Sequence, residues 1–150
     1  MDGIRQVRWA FSPIPTTPTR ARRRLADQLR TWSIGEAEAD PILLVTHELV
    51  ANAVDHACTA LELVVSFDGT EITIEVHDQS TLEPRLQPLN PTAARGRGLQ
   101  MVDALAKSWH WALHTGGKTV RAVIIPELWS ITPLLLRRPT TGTPTRPRYA

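Results

Sequence analysis

The chain has a single cysteine, Cys58, among its 150 residues. An internal disulfide is therefore excluded, in keeping with a reducing compartment. One thiolate is also too few for a Cys-based metal site. Long apolar runs are lacking as well. The most apolar stretch, within residues 128–136, falls far short of the roughly 20 residues that a membrane-spanning helix needs. No charged-then-apolar leader pattern opens the chain, because Arg5, Val7, Arg8 and Trp9 alternate instead. The expectation is a cytoplasmic protein. Internal repeats are absent, and neither the P-loop nor the Rossmann glycine spacing occurs.

What is present fits one globular domain with a single core. Apolar residues make up 42% and charged residues 21% of the chain, ordinary values for such a domain. The formal net charge is +2, but it is unevenly spread. Residues 31–136 hold six Lys or Arg against thirteen Asp or Glu, a balance of −7. Residues 1–30 and 137–150 together hold eleven Arg and two Asp, a balance of +9. Basic ends can meet nucleic acid or an acidic protein. The plainer reading is that Arg20, Arg22, Arg23, Arg24 and Arg30 form the solvated face of a helix, and it is preferred.

Alternation over residues 4–11 predicts a strand, and three prolines in residues 12–18 predict a loop. Leu25, Leu29 and Trp32 share one face of a helix expected over 19–32, with Gly35 as its stop. Asp40-Pro41 reads as a helix start, Asp at the N-cap and Pro at the first helical position. That helix is expected to run to Ala57, burying Leu43, Val50, Val54 and Ala57. Two strands, 61–67 and 71–76, flank the hairpin signal Asp68-Gly69. Residues 79–95 have no period, and a loop of that length in a small domain is often functional. A helix over 98–107 and strands over 109–114 and 119–125, joined at Gly116-Gly117, complete the order. Tight turns make the paired strands antiparallel. The predicted fold class is α+β, a two-layer sandwich with a mostly antiparallel sheet and helices on one face. The domain is expected over residues 1–136, with its core at about 7–125. The Arg/Pro/Thr-rich residues 137–150 are expected to form a disordered tail.

Four places carry candidate chemistry. Glu48, Asn52 and His56 are spaced by four, so they share one helix face, with Asp55 beside it. A carboxylate and a carboxamide one turn apart offer oxygens, the ligands Mg²⁺ accepts; an unspecialised solvent-facing stripe is the plainer alternative. Asp78 ends a strand at the mouth of the long loop. Its carboxylate can accept a hydrogen bond from an exocyclic amine, or close an ordinary Asx-turn. Arg95-Gly96-Arg97-Gly98-Leu99 precedes a helix, where glycines admit a ligand close to the backbone and free N–H groups face an anion. Gly116-Gly117-Lys118-Thr119 reads on its own as a hairpin turn.

Taken in order, these parts resemble the GHKL, or Bergerat-fold, ATPase superfamily, and within it the short anti-sigma-factor serine kinases. The resemblance runs from about residue 7 to 125. Its most specific segment is His47-Glu48-Leu49-Val50-Ala51-Asn52-Ala53-Val54-Asp55-His56-Ala57, which is similar to the family's N-box. The resemblance implies a mixed sheet backed by helices, with ATP and Mg²⁺ as ligands. It implies Asn52 as the Mg²⁺ ligand and Glu48 as the catalytic base. Asp78 would bind the adenine amino group, Gly96 and Gly98 would lie beside the phosphates with Arg97 and Leu99, and Thr119 would help to hold adenine. Residues 79–95 would form the lid over ATP. An anti-sigma-factor antagonist and a sigma factor are the implied partners. One departure stands out: the usual Asp-x-Gly-x-Gly box here reads Asp78-Gln79-Ser80-Thr81-Leu82.

Three functions follow. The first is a serine/threonine kinase that phosphorylates the antagonist and sequesters the sigma factor. The second is a non-catalytic ATP switch, favoured by the missing glycines. The third is a nucleic-acid module using the basic ends, which lacks aromatic-basic interleaving. The apolar residues Leu128, Trp129, Ile131 and Leu134 to Leu136 either cover the domain's own sheet, as expected, or meet a partner or a second copy in a homodimer.

Overall fold

The structure, a computed structural model, describes residues 3–81 and 98–126. Its strands are β1 (Arg5–Phe11), β2 (Leu61–Phe67), β3 (Ile72–Asp78), β4 (Ser108–His114) and β5 (Gly117–Ile124). Its helices are α1 (Thr17–Thr31), α2 (Glu36–Asn52) and α3 (Gly98–Leu105), and a π-helical turn, Ala53–Ala57, continues α2. The strands form one sheet in the order β1-β2-β3-β5-β4. Every pairing among them is antiparallel, so the α+β class holds and no parallel pair occurs among the described strands. The apolar run within 128–136, the tail 137–150 and most of the expected lid lie outside the described residues.

Period-two alternation explains how the sheet meets the helices. Leu61, Leu63, Val65 and Phe67 of β2 pair with Asp78, Val76, Ile74 and Ile72 of β3. These in turn pair with Lys118, Val120, Ala122 and Ile124 of β5. All twelve are buried. The helices pack against this face through Ala21, Leu25 and Leu29 of α1, Ile42, Val45, Leu49 and Val50 of α2, and Leu99 and Val102 of α3. Each large side chain so buried contributes about 1.5–3 kcal/mol before chain entropy is subtracted. α2 packs against both α1 and α3 and reaches over β3 and β5.

Two helix boundaries differ from expectation. α1 closes through Ser33, at φ 60, which donates to the Arg30 carbonyl while Ile34 N–H reaches Leu29. Serine thus takes the left-handed place that glycine usually fills, and Gly35 is instead the N-cap of α2. α2 starts a full turn before Asp40, which leaves Pro41 inside the helix. Buried Ala39 and Ile42 extend the apolar stripe upstream, and Glu36 and Glu38 suit the positive end of the helix. These gains offset the N–H that Pro41 cannot supply.

At the other end, Cys58 sits at φ 53 and its N–H bonds the Ala53 carbonyl five residues back. That bond closes the π-turn in place of the expected last α-turn. Leu43 and Ala57, expected in the core stripe, are only partly buried, whereas Val50 and Val54 are buried. In the β4–β5 hairpin, Gly116 takes φ 91, a conformation that glycine adopts without Cβ strain.

Candidate functional site

The apolar face of α2 fixes where its polar face points. Ile42, Val45, Thr46, Leu49, Val50 and Ala53 are buried, which turns Glu48 and Asn52 to the flank, where both are half-buried. Among the described residues, neither side chain makes a hydrogen bond or an ion pair. Their oxygens are therefore uncommitted. The π-turn begins immediately after Asn52 and packs against β3; such turns inside helices occur frequently at functional sites. His56, expected on the same stripe, is exposed beyond the start of this turn.

The end of β3 is tied to the same edge of the molecule. Gln79 N–H donates to the Thr59 hydroxyl at 3.0 Å, linking the segment after the π-turn to the strand end. Asp78 is the last residue of β3 and lies on the helix-facing side of the sheet, below Val76, Ile74 and Ile72. Its Oδ1 accepts the Ser80 N–H at 2.8 Å, so the expected Asx-turn is present. Its Oδ2 is buried and receives no hydrogen bond. Lys118 Nζ stands 3.3 Å from that oxygen, with both side chains almost completely buried. The contact brings opposite charges together without hydrogen-bond geometry, so Oδ2 keeps its lone pairs.

Asp78 and Lys118 are register partners across β3 and β5. Thr119, the next residue, must point to the other face. There its hydroxyl lies 2.7 Å from His77 Nδ1 and 3.1 Å from His114 Nε2, and His77 Nε2 contacts Glu75 at 3.2 Å. The structure therefore does not bring Thr119 and Asp78 together. Strand parity separates them, and Lys118 is the residue beside the carboxylate. Its signal was in the sequence: Lys118, Val120, Ala122 and Ile124 alternate, which puts a lysine at the head of a buried stripe.

Gly98 begins α3, as expected, and offers helix-start N–H groups. Leu99 is a core residue, 2% exposed, so only its backbone is free to face an anion. Gly96 and Arg97 lie outside the described residues. No cluster of three or more His, Cys, Asp or Glu that could hold a metal occurs among the described residues. A cation beside Asn52 would thus take most of its shell from phosphate and water, the usual state of Mg²⁺. The uncommitted side-chain oxygen of Asn52 fits that demand.

The comparisons with known proteins bear on the family and the fold. A family model described as the histidine kinase-like ATPase domain matches residues 11–124. The chain belongs to this family, and an ATPase domain implies ATP as its ligand. Among solved structures it is similar to one titled the RsbU and RsbW domains of Rv1364c from Mycobacterium tuberculosis, at a TM-score of 0.63 and 16% identity. The match covers 81% of this chain and 32% of that chain, so the fold is shared and this chain spans about a third of that one. No curated protein gives a significant sequence match. No helix among the described residues is long and apolar enough to cross a membrane.

Proposed function

We propose that the domain binds Mg-ATP between the polar flank of α2, the Asp78 end of β3 and the start of α3, and acts as an anti-sigma-factor serine/threonine kinase. The observation that carries the reading is Asp78 Oδ2, a buried acceptor without a hydrogen bond on the helix side of the sheet. A buried polar atom of this kind calls for a partner, and the amino group of adenine is a suitable donor. Asn52 would hold the metal, whose charge would offset that of the phosphates. The backbone from Gly96 to Leu99, with Arg97, would position the phosphate chain. Such transfer depends mainly on positioning and charge neutralisation. The γ-phosphorus–oxygen bond to ADP breaks as a serine oxygen of the partner protein bonds to phosphorus, and Glu48 accepts the serine proton. An anti-sigma-factor antagonist would supply the serine, and a sigma factor would be the protein sequestered.

The non-catalytic ATP switch is the second reading. It is favoured by Ser80 in place of a glycine and by the burial of Asp78 against Lys118. Calorimetric titration with ATP, with and without Mg²⁺, tests binding. Transfer of labelled γ-phosphate to serine-containing antagonist proteins separates the two readings. Magnesium-dependent binding with transfer supports the kinase, and firm binding without transfer to any of them supports the switch. Absence of ATP binding would sink both.

A further inference from the structure

We infer that Lys118 is an internal competitor for the base-binding carboxylate, so that nucleotide can reach Asp78 only after the Lys118 ammonium has left it. The inference rests on the ATP-binding reading and adds to it a residue that sets affinity.

The Asp78 side chain is 0% exposed and that of Lys118 is 3% exposed. A carboxylate that no water-sized sphere can touch cannot be touched by a purine. An exocyclic amine must come within about 3 Å of Oδ2 to donate a hydrogen bond. One neighbour or another must therefore move before the base can bind.

The backbone is poorly placed to move. β3 is paired along its length on both sides, to β2 and to β5. At the strand end, a Cβ on Gly117 would overlap the Asp78 carbonyl, so the two strands are already at closest approach. Asp78 itself is anchored by the Ser80 N–H on Oδ1. The mobile group in contact with this oxygen is the lysine, whose ammonium is carried on a flexible four-carbon stem and whose charge lies 3.3 Å from it. Lys118 has interactions besides this pair, so its departure has a cost. A charge pair buried this deeply does not open freely, because each partner would be left uncompensated. Oδ2 nevertheless lacks a well-aligned donor, so a neutral amine can improve on the ammonium geometrically.

The consequence is a conformational tax on affinity. If the open arrangement is a minor one, apparent affinity falls by its fractional population. Removing the lysine removes the tax.

The test compares ATP binding by the wild-type chain and by Lys118→Met, which keeps length and loses charge, with thermal unfolding confirming that each is folded. Because removing the charge leaves the buried Asp78 carboxylate without its counter-ion, a wild-type measurement runs beside it. The chain has only two lysines, Lys107 and Lys118, so ¹⁵N-lysine labelling gives two side-chain ammonium signals. Expected are Kd values at least about tenfold lower for Lys118→Met, and a shift of the Lys118 signal on adding ATP to wild type while Lys107 stays. Tighter binding by the variant when wild type binds undetectably also supports the inference. ATP binding to wild type with an unmoved Lys118 signal overturns it and leaves the ATP-binding reading intact. Equal or weaker binding by a folded Lys118→Met overturns it as well, weaker binding making lysine a ligand of the nucleotide. Absence of binding by both folded proteins overturns the ATP-binding reading and this inference together.

Discussion

Gly117 and Asp78 meet so closely across β3 and β5 that a Cβ on Gly117 would overlap the Asp78 carbonyl oxygen and lie 2.9 Å from Gln79 Cα. These neighbours are backbone atoms, which cannot swing aside as the end of a side chain can. Gly117→Ala must therefore push the strand ends apart where the candidate site begins. The expected cost is about 1–3 kcal/mol, the usual penalty for overpacking, read as a lower midpoint in urea. ATP affinity should fall with it, because Asp78 moves. An unchanged midpoint would mean that the strands do not approach as described.

Thr119 gives a prediction of the opposite kind. Its hydroxyl serves His77 and His114 on the face of the sheet away from the helices, where it cannot reach a base held by Asp78. Thr119→Val should leave ATP affinity unchanged and cost about 1 kcal/mol or less, the worth of partly exposed hydrogen bonds. Calorimetry and denaturation on the same variant check both halves. A large loss of ATP affinity at unchanged stability would restore Thr119 to the site.

Asp68 links stability to pH. Its Oδ1 accepts the backbone N–H groups of Glu71 and Thr70 at 2.7 and 2.8 Å in the β2–β3 hairpin. These bonds, that from Glu71 foremost, hold its carboxyl below the ordinary value. A carboxyl lowered on folding stabilises the native state above its unfolded pKa, and the benefit is lost as pH falls through the folded value. Asp68→Ala should therefore lower the denaturation midpoint at pH 7. The gap to wild type should begin to narrow as pH falls below about 4, the ordinary carboxylate value, and close only below the lower value of the folded protein. A gap independent of pH would assign the effect to the turn's shape alone.

Much of this architecture was legible because it rests on short-range regularities. The alternation in β2, β3 and β5 predicts both their pairing and their buried face. The features that local sequence does not encode depend on tertiary context. The start of α2 before Pro41 follows from burying Ala39 and Ile42 under neighbours that the local sequence does not reveal. The π-turn after Asn52 depends on Cys58 adopting φ 53, which few residues other than glycine do. Ser33 closes α1 at φ 60, in a place that glycine usually takes. The site followed the same division. Helical spacing alone puts Glu48 and Asn52 on one face. Asp78 comes from its position at a strand end. The partner of Asp78 depends on strand parity: β5 begins at Gly117, which puts Lys118 inside the strand beside the carboxylate, whereas the candidacy of Thr119 comes from the family resemblance alone.

The split between Asn52 and Glu48 follows from their chemistry and is the sharpest functional prediction. Both side chains are half-buried on one face of α2, and neither holds the fold together by a hydrogen bond among the described residues. Replacing either by alanine should change stability by no more than about 0.5 kcal/mol. A carboxamide can only bind; without its oxygen the metal loses its protein ligand. Asn52→Ala should accordingly abolish Mg²⁺-dependent ATP binding. A carboxylate can also take a proton. Glu48→Ala should keep ATP binding within a few-fold and lose phosphoryl transfer by about 10²-fold or more, the range for a general base. Titration calorimetry and a labelled-phosphate assay separate the two effects. Equal ATP affinity in wild type and Asn52→Ala would remove the metal from Asn52. Undiminished transfer by Glu48→Ala would leave the serine proton to another group.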